Sequence, residues 1–240
     1  KPTAVVASSI FTHLENPHQF IETVKSLMTD DGDFIIEVEY IGNIIKDIQF
    51  ERFYLDRIFY YSLTSLKHLF EKHDMYLADV EKIEPHGGSI RVVVRKNHGK
   101  LKSTKRVAHL LTEEKKKLTL SRLEKFKNTV DKYLSAFRDK LTKYKKSKVR
   151  VAGYSAPARV STICNYGQIG PSLIEFIVDD SPLKQNRFSP GTHIPIVPKS
   201  FLETHQPDLL VVFAYEYLYD IMKKTNKNYK YLIPIPPREV

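Results

Sequence analysis

The feature that most restricts the fold of this chain is an alternation of short apolar runs with amphipathic stretches, interrupted once by a long cationic helix pattern. In residues 1–96, "TAVVASS" reads as a short buried strand and "NPHQFIETVKSLM" as a helix, with Asn16 as N-cap and Pro17 at the first helical position. "DDGDFIIEVEY" is a turn feeding a strand, and "SLTSLKHLFEKHDM" is a helix capped by Ser62 or Thr64. "YLADVEKIEPHGGSIRVVVRK" reads as two strands joined by a Pro-His-Gly-Gly turn. Residues 148–240 alternate again. "KVRVAGY", "IEFIVDD", "DLLVVFAY" and "KYLIPIP" read as strands, and "PARVSTICNYG", "PKSFLETHQ" and "EYLYDIMKKTN" as helices. "SPLKQNRFSPGTHIPIV" reads as a loop. Short apolar strands alternating with helices predict a parallel α/β sheet.

Between these blocks, residues 97–147 carry dense lysine and arginine, as in "KLKSTKRVAHLLTEEKKKL" and "KLTKYKKSKVR". Apolar residues recur at Val107, Leu111, Leu118, Leu123, Phe126, Val130, Tyr133, Phe137, Leu141 and Tyr144, mostly three or four apart, which is amphipathic helix spacing. A formal net charge of +10 raises nucleic acid as a partner. The cations concentrate on this helical stretch, however, and no aromatic-basic sheet motif or zinc knuckle accompanies them, so a solvated helix face is the simpler reading.

The 240 residues suffice for one large or two modest domains, and no apolar run approaches a membrane span. The single cysteine, Cys164, excludes an internal disulfide framework and fits a reducing, cytoplasmic setting. A first residue of Lys1, with no signal peptide pattern after it, suggests a processed chain or a fragment.

"SSIFTHLENPHQFIETVKSLMTDDGDFIIEV" resembles the second half of a class I S-adenosylmethionine-dependent methyltransferase. With "FYYSLTSLKHLFEKHDMYLADVEKIEPHGGSIRVVV", "VAGYSAPARVSTICNYGQIG", "VDDSPLKQNRFSPGTHIPIV" and "YLIPIP", the chain resembles the sugar C-methyltransferases, which methylate a carbon of a nucleotide-linked 4-keto-deoxysugar. The resemblance implies an α/β fold in three parts. Residues 1–96 would be a partial class I methyltransferase sheet, 97–147 a helical linker, and 148–240 a second Rossmann-like domain that holds the nucleotide sugar. The family's zinc-binding cysteines and the glycine-rich cofactor loop would lie upstream, so zinc is expected only in an upstream domain. Another chain or an upstream segment would complete the first sheet and the S-adenosylmethionine site. Ser8 and Ser9, at the end of the first strand, and His13, after it, fall where the family holds the cofactor. The chain alone is therefore not expected to be fully active.

Where the family reads Tyr-His-Glu-His, this chain has Tyr54, Leu55, Asp56 and Arg57. Methylation beside a ketone needs a base to remove the α-proton, work suited to a neutral imidazole. Arg57 stays protonated and could only stabilise an enolate or a phosphate. Asp56 could accept a proton if buried. His86, in the turn that matches the family, could hydrogen-bond the sugar or cofactor, or serve only the turn. "GYSAPAR" stands where the family has a glycine-rich phosphate turn. Gly153, Tyr154, Ser155 and Ala156 would line the turn, with Ser155 replacing a glycine and Arg159 a lysine. Lys184, Arg187 and His193 in the following loop complete the expected substrate set. The alternative is a non-catalytic binding or structural module that reuses the fold within a larger assembly.

Overall fold

The computed structural model describes residues 1–99, 102–225 and 229–240. Lys100 and Leu101, read as part of the helical stretch, and Asn226, read as the end of the last helix, lie outside the described residues. The chain divides into two units, one of Lys1–Phe50 and Leu55–Phe126, the other of Glu51–Tyr54 and Lys127–Val240.

In the first unit β1 (Ala4–Ser8), β2 (Asp33–Glu39), β3 (Met75–Ile83) and β4 (Ser89–Lys96) form a sheet ordered β1-β2-β4-β3. β1 and β2 are parallel, but β4 runs antiparallel to both its neighbours. The sheet is therefore mixed: β1 and β2 keep the expected parallel pairing, and the expected Pro-His-Gly-Gly turn, too short for a crossover, makes β3 and β4 a hairpin. Alternation along the strands decides what is buried. Phe34, Ile36 and Val38 stand opposite Val94, Val92 and Ile90, all buried. They share a core with Ile21 and Val24 of α1 (Pro17–Leu27), with Leu66 and Phe70 of α3 (Leu63–Glu71), and with Val107 and Leu110 of α4 (Lys105–Lys117). The short α2 (Ile41–Lys46) follows β2. The intervening strand residues carry cross-strand ion pairs, Arg91 with Glu37 and Arg95 with Asp33. Both expected caps form. Asn16 accepts the N–H of Gln19 at 3.1 Å, and Ser62 makes a reciprocal capping box with Ser65.

The second unit has a seven-stranded sheet ordered β11-β10-β9-β5-β6-β8-β7. Its strands are β5 (Val151–Tyr154), β6 (Ile177–Val178), β7 (Arg187–Phe188), β8 (Pro195–Val197), β9 (Leu209–Val212), β10 (Lys230–Pro234) and β11 (Pro237–Glu239). The five central strands are parallel, as expected, and the edge strands β7 and β11 are antiparallel. β5 and β9 are buried at every residue, which requires cover on both faces. The stretch read as a loop contains β7 and β8, so it is partly a hairpin. Four helices belong with this sheet: α5 (Leu120–Lys146), α6 (Arg159–Tyr166), α7 (Phe201–Thr204) and α8 (Leu218–Lys224). The division between the units falls inside α5, whose buried stripe Val130, Leu134, Phe137 and Leu141 lies in the second unit. No helix among the described residues is long and apolar enough to cross a membrane.

Candidate functional site

In the first unit, the sequence-predicted residues Ser8, Ser9, His13, Asp56, Arg57 and His86 come from four separate places in the chain. The carboxyl ends of β1 and β2 collect them. The backbone N–H groups of Ile58 and Phe59 both donate to the carbonyl of Thr12, at 3.0 and 3.2 Å, and this staples the 56–59 segment to the turn after β1. His13 Nδ1 lies 2.7 Å from the carbonyl oxygen of Asp56. A carbonyl oxygen only accepts, so Nδ1 donates to it, and in the neutral ring the lone pair lies on Nε2. The Asp56 carboxylate is exposed, 3.6 Å from the same ring nitrogen.

Arg57 Nη1 donates to Glu39 Oε2 at 2.5 Å, and both side chains are largely buried. His86 Nδ1 lies 3.9 Å from Glu39 Oε1, and its Nε2 lies 3.4 Å from Ser9 Oγ. Glu39 thus sits between Arg57 and His86, two of the expected catalytic residues. No sequence spacing flagged it; the one available signal is a carboxylate at the end of a strand that otherwise alternates. Ser8 Oγ donates to Glu37, and with Arg91 it holds that carboxyl below its ordinary range. His86 adopts φ +56°, left-handed backbone that costs a side-chain-bearing residue energy, and Gly87 and Gly88 follow with positive φ. Glycine is required at 88, where an added Cβ would lie 1.9 Å from Asn43 Nδ2.

In the second unit, the turn after β5 is closed from within. Gly153 packs so tightly that a Cβ would lie 2.8 Å from Ile177. Ser155 has φ +68°, and this is the physical reason for a glycine at that place. The N–H of Ala156 donates at 2.6 Å to Asp179, a buried carboxylate that also accepts the N–H of Ser181 and pairs with Lys184. An internal anion therefore occupies the position expected for a phosphate. α6 starts at Arg159, two residues later than the expected start near Ala156–Pro157.

Arg159 donates through Nη1 and Nη2 to Glu216 at 3.0 and 2.5 Å and lies over the ring of Tyr215. Tyr54, in the Glu51–Tyr54 segment of this unit, is near enough to act on Arg159 electrostatically. Burial and the neighbouring Asp180 push the Tyr154 hydroxyl up to about 12. Tyr154, Ser155, Asp180, Tyr217, Asp220 and Lys224 line a cavity of about 380 Å³. It opens at the carboxyl ends of the strands, beside the point where strand order reverses from β5 outward, the usual ligand crevice of such sheets.

Lys184 joins this turn through Asp179, whereas Arg187 and His193 do not. Arg187 is exposed on β7, three strands out from β5, about 14 Å at ~4.8 Å per strand. His193 is exposed in a loop whose Pro190 carbonyl accepts from Asn165, near the far end of α6. Among the described residues, no group of three or more His, Cys, Asp or Glu side chains could hold a metal ion.

Residues 84–236 match the model of the C-methyltransferase C-terminal domain. The chain belongs to that family. It is also similar to C-methyltransferase NovU of Streptomyces niveus, 28% identical over 242 residues that cover 98% of this chain and 58% of that protein. The chain thus spans little more than half the length of this curated relative. The C-methyltransferase C-terminal domain match takes in His86 and the whole β5 turn, and the similarity to NovU extends over nearly the entire chain.

Proposed function

We propose that this chain carries the substrate side of a C-methyltransferase that uses S-adenosylmethionine to methylate a carbon of a nucleotide-linked 4-keto-deoxysugar in the cytoplasm. The observation that carries the reading is the Nδ1 contact of His13 to the Asp56 carbonyl, which in the neutral imidazole puts the lone pair on Nε2, where a base needs it. His13 Nε2 removes the proton beside the ketone, and the C–H electron pair becomes the enolate. Orientation of the imidazole comes from a main-chain oxygen, so it survives the side-chain changes at Leu55, Asp56 and Arg57. Arg57 cannot be the base, and its charge is held by Glu39. His86, beside Ser9, is the second imidazole of the site and a hydrogen-bond partner for the sugar.

The cofactor would supply the electrophilic methyl group. Ser8 is committed to Glu37 and His13 Nδ1 to Asp56, which leaves Ser9 Oγ and the His13 ring to meet one edge of it. These residues fit part of the cofactor only. β1 pairs with β2 alone among the described residues, and Val6 on it is 63% exposed. We place the completing strand, from another chain or an upstream segment, on that edge.

A second reading, a non-catalytic binding or structural module, is favoured by the internal carboxylates that already engage Arg57, Arg159 and the Ala156 N–H. One experiment separates the two. The protein is incubated in deuterated water with thymidine- and uridine-diphosphate-linked 4-keto-deoxysugars and no cofactor, and exchange beside the ketone is followed by NMR. Wild type exchanges the proton, and His13→Gln slows exchange by about 100-fold or more. Exchange by His13→Gln at the wild-type rate removes His13 as the base. No exchange with either sugar, although nucleotide binds, supports the module.

A further inference from the structure

Two carboxylates engage the expected phosphate site of the second unit, and they differ in how firmly they are held. Asp179 is buried and accepts two backbone N–H groups besides its pairing with Lys184. Its removal would leave the turn unsatisfied, so it belongs to the fold. Glu216 lies in the single turn Tyr215–Tyr217 after β9, and its side chain is 40% exposed. The guanidinium it faces is not: the Arg159 side chain is 9% exposed, fixed over the Tyr215 ring. Arg52 Nη2 approaches the same carboxylate at 3.8 Å. Beneath them Glu51 is buried and accepts the Tyr215 hydroxyl.

Two buried polar atoms of this cluster, Arg159 Nε and Glu51 Oε2, find no hydrogen-bond partner among the described residues. Each such orphan calls for a partner, and an ordered water or a ligand group would supply it. The cluster joins the start of α6 to the end of β9, at the reversal of strand order where open α/β sheets take their ligands.

We propose that Glu216 is a resident stand-in for an anionic ligand group, and that the diphosphate of a nucleoside diphosphate binds Arg159 by displacing the Glu216 carboxylate into solvent. This rests on the reading that the second unit carries the nucleotide of the sugar substrate. Carboxylate and phosphate both match the two-pronged guanidinium edge, so the exchange trades one charged pair for another. The buried cation is never left bare in the cell. Ligand affinity is lowered by the work of releasing Glu216, and specificity rises because a weak anion cannot do that work.

Calorimetric titration with uridine diphosphate, thymidine diphosphate and inorganic pyrophosphate tests the proposal. Wild type is compared with Glu216→Gln, Glu216→Asp and Arg159→Ala, each checked for folding by circular dichroism. Glu216→Gln is expected to bind nucleoside diphosphates about tenfold more tightly than wild type. Glu216→Asp, which keeps the charge but is one methylene too short for the two-pronged contact, should gain less. Arg159→Ala should lose binding. Stronger gains for nucleoside diphosphates than for pyrophosphate assign the site to a nucleotide; equal gains assign it to the diphosphate alone, and both support displacement. If both Glu216 variants bind as wild type does or more weakly, while Arg159→Ala still abolishes binding, the stand-in role is overturned and the nucleotide site stands. If neither wild type nor Glu216→Gln binds any of the three below millimolar, the nucleotide reading falls and the stand-in falls with it.

Discussion

Ser155 holds a left-handed backbone conformation, φ +68°, in the turn that follows β5. An L-residue in that region suffers a contact between Cβ and carbonyl oxygen worth about 1–2 kcal/mol, partly offset by the smaller backbone freedom that serine loses on folding. Ser155→Gly is therefore expected to stabilise the protein by about 0.5–1 kcal/mol, read from the midpoint of urea unfolding. An unchanged or lowered midpoint would mean that the serine hydroxyl repays the strain. His86 shares this conformation but lies beside Ser9 and Glu39, where strain accompanies a candidate functional group.

At the scale of elements, the first unit depends on one carboxylate that joins two helices. Glu114, buried on α4, accepts the N–H groups of Leu63 and Thr64 at 2.6 and 2.8 Å and the Thr64 hydroxyl at 2.5 Å. These are donors that the first turn of α3 cannot satisfy itself, and the negative charge faces the positive end of the helix. Glu114 thus caps α3 from a distance and anchors α4 beside it. Glu114→Ala removes charged hydrogen bonds and leaves buried donors without partners, a loss of roughly 2–4 kcal/mol. Glu114→Gln should lose about half of that, since it keeps an acceptor without the charge. Equilibrium unfolding of both variants checks the order. Equal losses would assign the effect to packing rather than to the cap.

At the scale of the molecule, the chain builds two cores from separate sets of residues, and each has its own reporter. Cys164 of α6 is fully buried in the second unit, and burial pushes its thiol up to about 12. Both access and ionisation then oppose reaction, so a thiol reagent should modify native protein at least ~1,000-fold more slowly than a free thiol. Glu114→Ala should leave that protection intact although it weakens the first unit, because the two sites share no partner. Loss of Cys164 protection in parallel with the first unit's unfolding would show that the units open as one. The lysine-rich helices balance part of their charge locally, and the excess of +10 remains. Lysines on the exposed faces of α4 and α5 pair with acids one turn away, Lys117 with Glu113 and Lys127 with Asp131.

Much of the architecture is written in local pattern. Most of the strands and helices, the caps at Asn16 and Ser62, and the glycine turn before β4 follow from period, capping chemistry and backbone freedom, whereas α2, β7 and β8 do not. These properties involve residues within a turn of one another, so they are legible before any fold is known. The helical stretch shows the limit of that legibility. Spacing pointed to Leu111, yet Leu111 is only half-buried while Leu110 and Leu134 are buried, because the residues a stripe buries depend on what lies against it. The candidate sites passed that limit altogether. Arg159, read as a phosphate ligand, meets Glu216, 57 residues away, and Arg57 meets Glu39, 18 residues back. The Ala156 N–H meets Asp179, and Arg187 is carried to the far edge by the order of the strands. A sequence determines which side chains can carry charge or a proton. Strand order and strand register determine which opposite charge arrives within 3 Å, and so only the tertiary structure decides which cations are already spoken for.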